Sequence, residues 1–243
     1  MLTVKKYVYP NEYRGARDPE YQIRELAKAF ELSPDASIRY LEKIASKWNL
    51  ADFVPSDALH CTQLFAWPSV DAIAKCHFPE VSDSREKYCR AVLLLLSIIG
   101  KSRSFYNYRE GQIDPYHLRQ CARTLHTLDL IIEQQKGDIL IVPAQFGLYH
   151  RDRSVCHARD CFTANESGLG ALAVGSMTLI HPERYVHFEQ LHTDCAGDEF
   201  APHADGDFSE SPIFGFNSVR LGFGAGDVSD AHVRCGSASG FVP

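Results

Sequence analysis

The residues best suited to chemistry are concentrated in one short segment, residues 192–207. It contains two histidines and five carboxylates within sixteen positions. Imidazoles and carboxylates bind divalent cations, and they are also the usual general acids and bases of enzymes. The segment is therefore the first place in this chain to expect a reaction centre.

A divalent metal site is one prediction for this segment. The ligands would be drawn from His192, Asp194, Asp198 and His203. The ion would activate a water molecule, with Glu199 as the general base. A glycine and a proline favour a loop after a short strand, but the residue order of a calcium-binding loop is absent. Two alternatives stay open, a solvated acidic turn and acid–base chemistry without a metal.

Three arginines precede the acidic segment. Arg151, Arg153 and Arg159 are half of the six arginines after residue 137, where lysine is absent. They are most simply partners for the carboxylates that follow. They are also our candidates for an anion-binding site, because a guanidinium group can hold a carboxylate or phosphate through two parallel hydrogen bonds.

A candidate site of another class lies at residues 101–109, where cations alternate with aromatic residues. Rings that stack on bases, beside cations that reach phosphates, are typical of surfaces that bind single-stranded nucleic acid. The candidate residues are Lys101, Arg103, Tyr106, Tyr108 and Arg109. The alternative is that the rings belong to the core and the cations lie on a surface turn.

The charge of the chain is unevenly distributed. The formal net charge is −6, but residues 1–137 carry 19 Lys and Arg against 17 Asp and Glu, whereas residues 138–243 carry 6 against 14. The balances are therefore +2 and −8. Because an acidic surface repels a phosphate backbone, we expect nucleic acid or another anionic partner to contact the first half.

The first half carries the signals of four or five helices. Two are expected before about residue 48. Asp83 and Glu86 form a capping box ahead of an apolar run at residues 91–99, which predicts a central buried helix. An Asp-Pro pair at Asp114 predicts the start of a further helix that ends near Gly137.

From Gly137 onwards the spacing of apolar residues changes. Residues 139–142 have the composition of a buried strand, and alternation around Asn217 predicts a β-hairpin at residues 213–226. Residues 168–180 are small and apolar with three glycines, which fits both a strand pair and a close-packed helix. Their order is not that of a dinucleotide-binding loop.

These signals predict an α+β fold. A helical region of four or five helices, residues 1–137, would pack on a mostly antiparallel, β-rich region, residues 138–243, that carries the acidic loop. The strand at residues 139–142 is apolar on both faces and needs cover on both. We therefore expect the two regions to pack together as one unit.

No motif in the sequence is specific for one reaction. The function that we favour is an intracellular binding or regulatory protein that contacts nucleic acid or another polyanion through its helical half. The alternative is a metal-dependent hydrolase with its site in the C-terminal half. The longest apolar run has nine residues, fewer than the ~20 of a spanning helix, and residues 1–7 lack a signal-peptide core. We therefore expect a cytoplasmic location and no membrane partner.

Overall fold

The computed structural model describes residues 15–44, 48–217 and 219–242. It contains both helices and a large mixed sheet, so the α+β prediction is confirmed. Helices are spread along the chain, and the predicted helical first half is not confirmed. The N-terminal residues 1–7, the predicted helix continuation at residues 45–47 and Ser218 of the predicted hairpin lie outside the described residues.

The secondary structure follows the chain in this order. The helices are α1 (Pro19–Phe30), α2 (Asp35–Ile44), α3 (Val70–His77), α4 (Ser84–Ser102), α5 (Ala122–Gln134), α6 (Val155–Cys161) and α7 (Ala171–Ile180). The strands are β1 (Gln63–Pro68), β2 (Phe105–Asn107), β3 (Leu118–Gln120), β4 (Ile139–Arg151), β5 (Glu166–Gly168), β6 (His192–Asp194), β7 (Asp198–Phe200), β8 (Glu210–Asn217), β9 (Arg220–Asp227) and β10 (Cys235–Phe241). Short 3-10 turns occupy Leu50–Asp52 and Leu59–Cys61.

The strands of the described residues form one sheet. Its main path is β1-β4-β10-β6-β8-β7-β3, with β5 beside β10 and β9 between β8 and β2. Most neighbours are antiparallel, whereas β10 with β6 and β2 with β9 are parallel. The first three strands pair with β4, β9 and β7, which all follow residue 137. The boundary at Gly137 and the packing of the two regions as one unit stay predictions.

Two local predictions are confirmed. The Asp83 side chain accepts a hydrogen bond of 2.8 Å from the Glu86 backbone and caps α4, which continues past Gly100 to Ser102. Strands β8 and β9 pair in antiparallel register on either side of the predicted turn. Both features are encoded by residues that are close in sequence, so local pattern suffices to find them.

The helix predicted to begin at Asp114 is wrong in its first turns. The Asp114 side chain accepts hydrogen bonds from the backbones of Tyr116 and His117, which closes a turn. The chain then forms β3, which pairs with β7, and α5 begins only at Ala122. An aspartate that caps a helix also caps a turn, and here pairing within the sheet decides between them.

The undecided segment at residues 168–180 contains α7, which packs against α4. Nine of its ten residues are buried. A Cβ on Gly175 would lie 2.4 Å from Cδ2 of Leu95 and 3.0 Å from Cζ of Phe214, so glycine is required for this close approach. α7 is therefore a core helix with no solvent-facing stripe.

In the described part of the chain, no helix combines the length and apolar composition that crossing a membrane requires.

Candidate functional site

A cavity of about 460 Å³ lies between α5 and the edge of the core formed by β1, β4 and the first turn of α7. Its larger apolar lining residues include Trp67, Leu128, Ile131, Leu140, Val142 and Leu172, together with the exposed Leu125 and Ile132. Small-molecule sites in proteins have volumes of roughly 300–1,000 Å³ and mostly apolar walls. Protein interiors otherwise contain few voids larger than a water molecule, so this cavity is the leading candidate for a ligand site.

Charged side chains line only the accessible part of this cavity. They are Asp71, Arg85, Lys87, Arg119 and Asp129, none of which is buried. Lys87 pairs with Asp71 at 3.3 Å, and Arg119 pairs with Glu199 at 2.7 Å. The apolar wall residues of β1 and β4, by contrast, are almost fully buried. The cavity therefore has an apolar interior and a charged mouth.

One buried carboxyl group lies behind the cavity wall. Tyr88 of α4 lines the cavity, and its hydroxyl donates a 2.6 Å hydrogen bond to Oδ2 of Asp198, which is fully buried on β7. The same oxygen accepts a 2.7 Å bond from the backbone N–H of Ala171. Among the described residues, Oδ1 of Asp198 has no hydrogen-bond partner.

Burial dominates the protonation of this pair. It raises the pKa of Asp198 to about 7, and the hydrogen bonds from Ala171 and Tyr88 oppose that rise only in part. Burial, followed by the charge of Asp198, raises the pKa of Tyr88 well above its ordinary value. The Asp198 carboxyl thus accepts from the first turn of α7, which lacks a capping side chain of its own.

Glycines allow this contact between distant segments. A Cβ on Gly170 would lie 2.5 Å from Oδ1 of Asp198 and 2.6 Å from the Tyr88 hydroxyl oxygen. A Cβ on Gly197 would lie 2.4 Å from the carbonyl oxygen of Gly168. The glycine-rich segment and the acidic segment, which the sequence presents as separate features, thus meet at the start of α7.

The four predicted metal ligands are not brought together. His192 lies against Gly215, where burial and then the charges of Arg234 and His232 lower its pKa to about 4. Asp194 is buried, which raises its pKa to about 7, and His203 is exposed on a loop. Among the described residues, no group of three or more His, Cys, Asp or Glu side chains is arranged to hold a metal ion. The divalent-ion prediction is therefore not supported.

Glu199, the predicted general base, lies on β7 next to Asp198. It is partly exposed and forms the ion pair with Arg119 described above. The guanidinium of Arg119 also lies 3.7 Å from the ring centre of Phe208. The carboxylate of Glu199 is therefore engaged by an arginine, and its role as a general base stays a prediction.

The three predicted anion-binding arginines have different partners. Arg159 donates to the backbone oxygens of Ala196 (3.0 Å) and Asp198 (2.7 Å), and so holds the backbone of the acidic segment instead of its carboxylates. Arg153 lies 3.0 Å from Nδ1 of His150. The guanidinium of Arg151 is 3.4 Å from the carboxylate of Asp152. No contact in the described residues brings the three together around a shared anion.

The predicted nucleic-acid residues divide into two groups. Arg103 donates to the backbone oxygens of Arg184 and Tyr185, and Arg109 pairs with Glu210 at 2.6 Å, so both arginines hold the fold together. The exposed members are Lys101, Tyr106 and Tyr108, and the guanidinium of Arg220 lies 4.3 Å from the ring centre of Tyr106. The sequence gives no signal for Arg220, because this residue reaches Tyr106 only through the parallel pairing of β2 with β9.

A buried polar cluster on β4, β5 and β10 has the residue types of a hydrolase triad without its geometry. Glu166 accepts a 2.6 Å bond from the Ser239 hydroxyl and lies 2.6 Å from Nε2 of His150. The carboxylate thus lies between serine and histidine, whereas nucleophile activation requires the histidine to contact the hydroxyl. All three side chains are buried, and the cluster joins three strands.

Comparisons of the chain with protein-family models, with curated proteins and with solved structures found no match. The cavity and the side-chain contacts of the chain itself are therefore what indicate its function.

Proposed function

We propose that the protein binds an uncharged, mainly apolar small molecule in the cavity beneath α5. The observation that carries this proposal is the combination of a 460 Å³ volume with buried apolar walls and a charged mouth. The buried Tyr88–Asp198 pair beside it adds a group with a strongly shifted pKa, and such groups concentrate at functional sites.

The walls also define the class of ligand. A charged group placed between Trp67, Leu140 and Val142 would lose its hydration and find no ionic partner, which costs several kcal/mol or more. An apolar ligand that fits the cavity would instead bury its own surface and that of the walls. This burial favours binding by roughly 25 cal/mol per Å² of apolar surface. Polar substituents would face the mouth, where Arg85 and Asp129 are exposed.

The test uses the uncharged fluorescent probe N-phenylnaphthylamine and two variants on the same helix. Leu128 lines the cavity, whereas Leu130 is 39% exposed and does not line it. We expect saturable binding of the probe to the wild-type protein and to Leu130→Trp. In Leu128→Trp the larger ring occupies the cavity, and the affinity should fall about tenfold or more. Circular dichroism and melting temperature check that both variants are folded.

Two results would contradict the proposal. One is no saturable binding of the probe to the wild-type protein. The other is equal affinity of the probe for Leu128→Trp and Leu130→Trp, because binding would then lie outside the cavity.

We propose nucleic-acid binding by the exposed surface of β2 as a second candidate function. Its specific support is that Tyr106 and Tyr108 are 42% and 47% exposed, with Arg220 over the first ring and Lys101 nearby in sequence. Exposed rings beside cations suit base stacking and phosphate contact. This surface differs from the sequence prediction, since Arg220 takes the place of Arg103 and Arg109.

Fluorescence anisotropy at low salt, with labelled single- and double-stranded DNA and RNA, tests this candidate. The double variant Tyr106→Ala with Tyr108→Ala should weaken single-strand binding about tenfold or more, since stacking contributes roughly 1–3 kcal/mol per base. Tyr116→Ala removes a ring that is 73% exposed elsewhere and serves as the control. No binding of any of these nucleic acids to the wild-type protein would refute the candidate.

A further inference from the structure

Helix α5 covers the cavity but is weakly attached to the core. Of its thirteen residues, only Thr124 and Ile131 are buried. Leu125, Leu130 and Ile132 are exposed although they are large and apolar. Ile131 belongs to the core and Leu128 packs against it. Leu125 and Ile132 line the cavity and stay exposed, so few side chains hold this amphipathic helix in place.

Because few of its side chains are buried, α5 is also held by hydrogen bonds at its two ends. At its N-terminal end, Arg123 donates to the backbone oxygens of Glu166 (2.9 Å) and Thr163, and the Thr124 hydroxyl donates to Gly168 (3.1 Å). These bonds join α5 to β5 and to the turn before it. We call them the N-terminal latch.

At the C-terminal end, one side chain makes a pair of bonds to β4. The Gln135 amide donates to the backbone oxygen of Ile141 and accepts from its N–H, both at 2.8 Å. Both bonds are buried, as is the Thr124 bond of the latch, whereas the Arg123 bonds are partly or fully accessible to water. Breaking a buried pair leaves polar groups unsatisfied, but an accessible bond can be replaced by water. The two ends therefore differ in how easily they open.

We propose that α5 is the lid of the cavity, hinged at Gln135, and that ligand enters and leaves when the N-terminal latch opens. The inference rests on the proposed ligand-binding function. Opening requires the loss of few packed contacts, because only Thr124 and Ile131 of the helix are buried. It also exposes the apolar walls of β4 and α7 to an incoming ligand, which then supplies the packing that the free protein lacks.

Hydrogen exchange of the ligand-free, full-length protein tests the lid directly. Amides of residues 122–134 should exchange faster than those of α4 and α7. Arg123→Met keeps an aliphatic stem like that of arginine but removes the guanidinium donors of the latch. Hydrogen exchange in α5 should then be about tenfold faster. Arg123 does not line the cavity, so its replacement leaves the walls unchanged.

A matched control separates the latch from a general loss of stability. Arg90→Met removes an arginine that bonds to Glu80 and Glu86 and lies over Phe78, on α4. Exchange in α5 should be the same in this variant as in the wild-type protein. Stopped-flow release of N-phenylnaphthylamine should be about tenfold faster in Arg123→Met and unchanged in Arg90→Met.

The outcomes distinguish the lid from the proposed function. If the probe binds in the cavity but Arg123→Met changes neither exchange in α5 nor the rate of release, the lid is refuted and the ligand site stands. If the wild-type protein does not bind the probe, the proposed function is contradicted. The exchange measurement on the ligand-free protein still decides whether the latch controls α5.

Discussion

Helices α5 and α7 both line the cavity, and they are held in opposite ways. α7 has nine of ten residues buried, whereas α5 has two of thirteen. Yet α5 has the clearer sequence signal, with apolar residues on one stripe, while α7 is apolar on every side. The comparison shows that an apolar stripe does not by itself mark the buried face, because Leu125 and Ile132 are exposed. What each face contacts decides how firmly the helix is held.

The two helices also differ in how their first turns are satisfied. The first turn of α7 bonds to Asp198 on β7, which also accepts from Tyr88 on α4, and both partners are distant in sequence. The first turn of α5 uses its own side chains, Arg123 and Thr124, to reach the backbone of β5. Distant partners fix α7 between elements that are themselves buried, whereas the Arg123 bonds of α5 can exchange with water and its Thr124 bond is buried.

The largest expected difference is in stability. Met177→Ala in α7 deletes a fully buried side chain and should lower the free energy of unfolding by about 3 kcal/mol. Leu130→Ala deletes an exposed side chain of α5 and should change it by less than about 0.5 kcal/mol. Urea denaturation of both variants provides the comparison. Similar losses in the two variants would show that α5 is packed as firmly as α7.

A smaller effect should appear in the dependence of stability on pH. The folded-state pKa of Asp198 is about 7, above its ordinary value of 3.8. The folded protein therefore keeps a proton that the unfolded chain has released. The resulting stabilisation is fully present below about pH 4 and is lost as pH rises through 7. The ionisable groups that act on this carboxyl are Tyr88 of α4, Arg159 of α6 and Glu199 beside it on β7.

Asp198→Asn removes this titration but keeps an oxygen that can accept from Ala171. Between pH 5 and 6.5, the wild-type protein should lose about 2 kcal/mol more of its unfolding free energy than the variant, at about 1.4 kcal/mol per pH unit. Urea denaturation across this range measures the difference, and Asp205→Asn on an exposed loop controls for net charge. Parallel curves for the wild-type protein and Asp198→Asn would contradict the raised pKa.

The interactions of residues close in sequence could be predicted without the structure. The helix cap at Asp83, the strand that becomes β4 and the hairpin of β8 and β9 are all present. The turn at Asp114 shows the limit of such signals, because the same side chain can start a helix or close a turn. Pairing with β7, which lies 80 residues further along the chain, made the choice there.

The candidate sites were predicted less well than the elements. The sequence directed attention to the carboxylates of residues 192–207 as a group, but β6 and β7 place Asp194 and Asp198 in separate surroundings. It also gave no sign of a cavity, since a cavity is bounded by residues from many elements. Tyr88, the residue that connects the cavity wall to Asp198, was visible only as a member of an apolar helix.

The sequence alone determined the charge distribution, the capped start of α4 and the extended run of β4, because each depends on composition or on neighbours within a few residues. The tertiary structure decided that Asp198 meets Tyr88, 110 residues apart, and that Arg220 covers Tyr106. The physical reason is the distance along the chain over which each kind of interaction acts. Backbone preferences act over one or two turns, whereas strand pairing and the burial of α7 select which distant side chains share a low-dielectric site, and that site sets their pKa values.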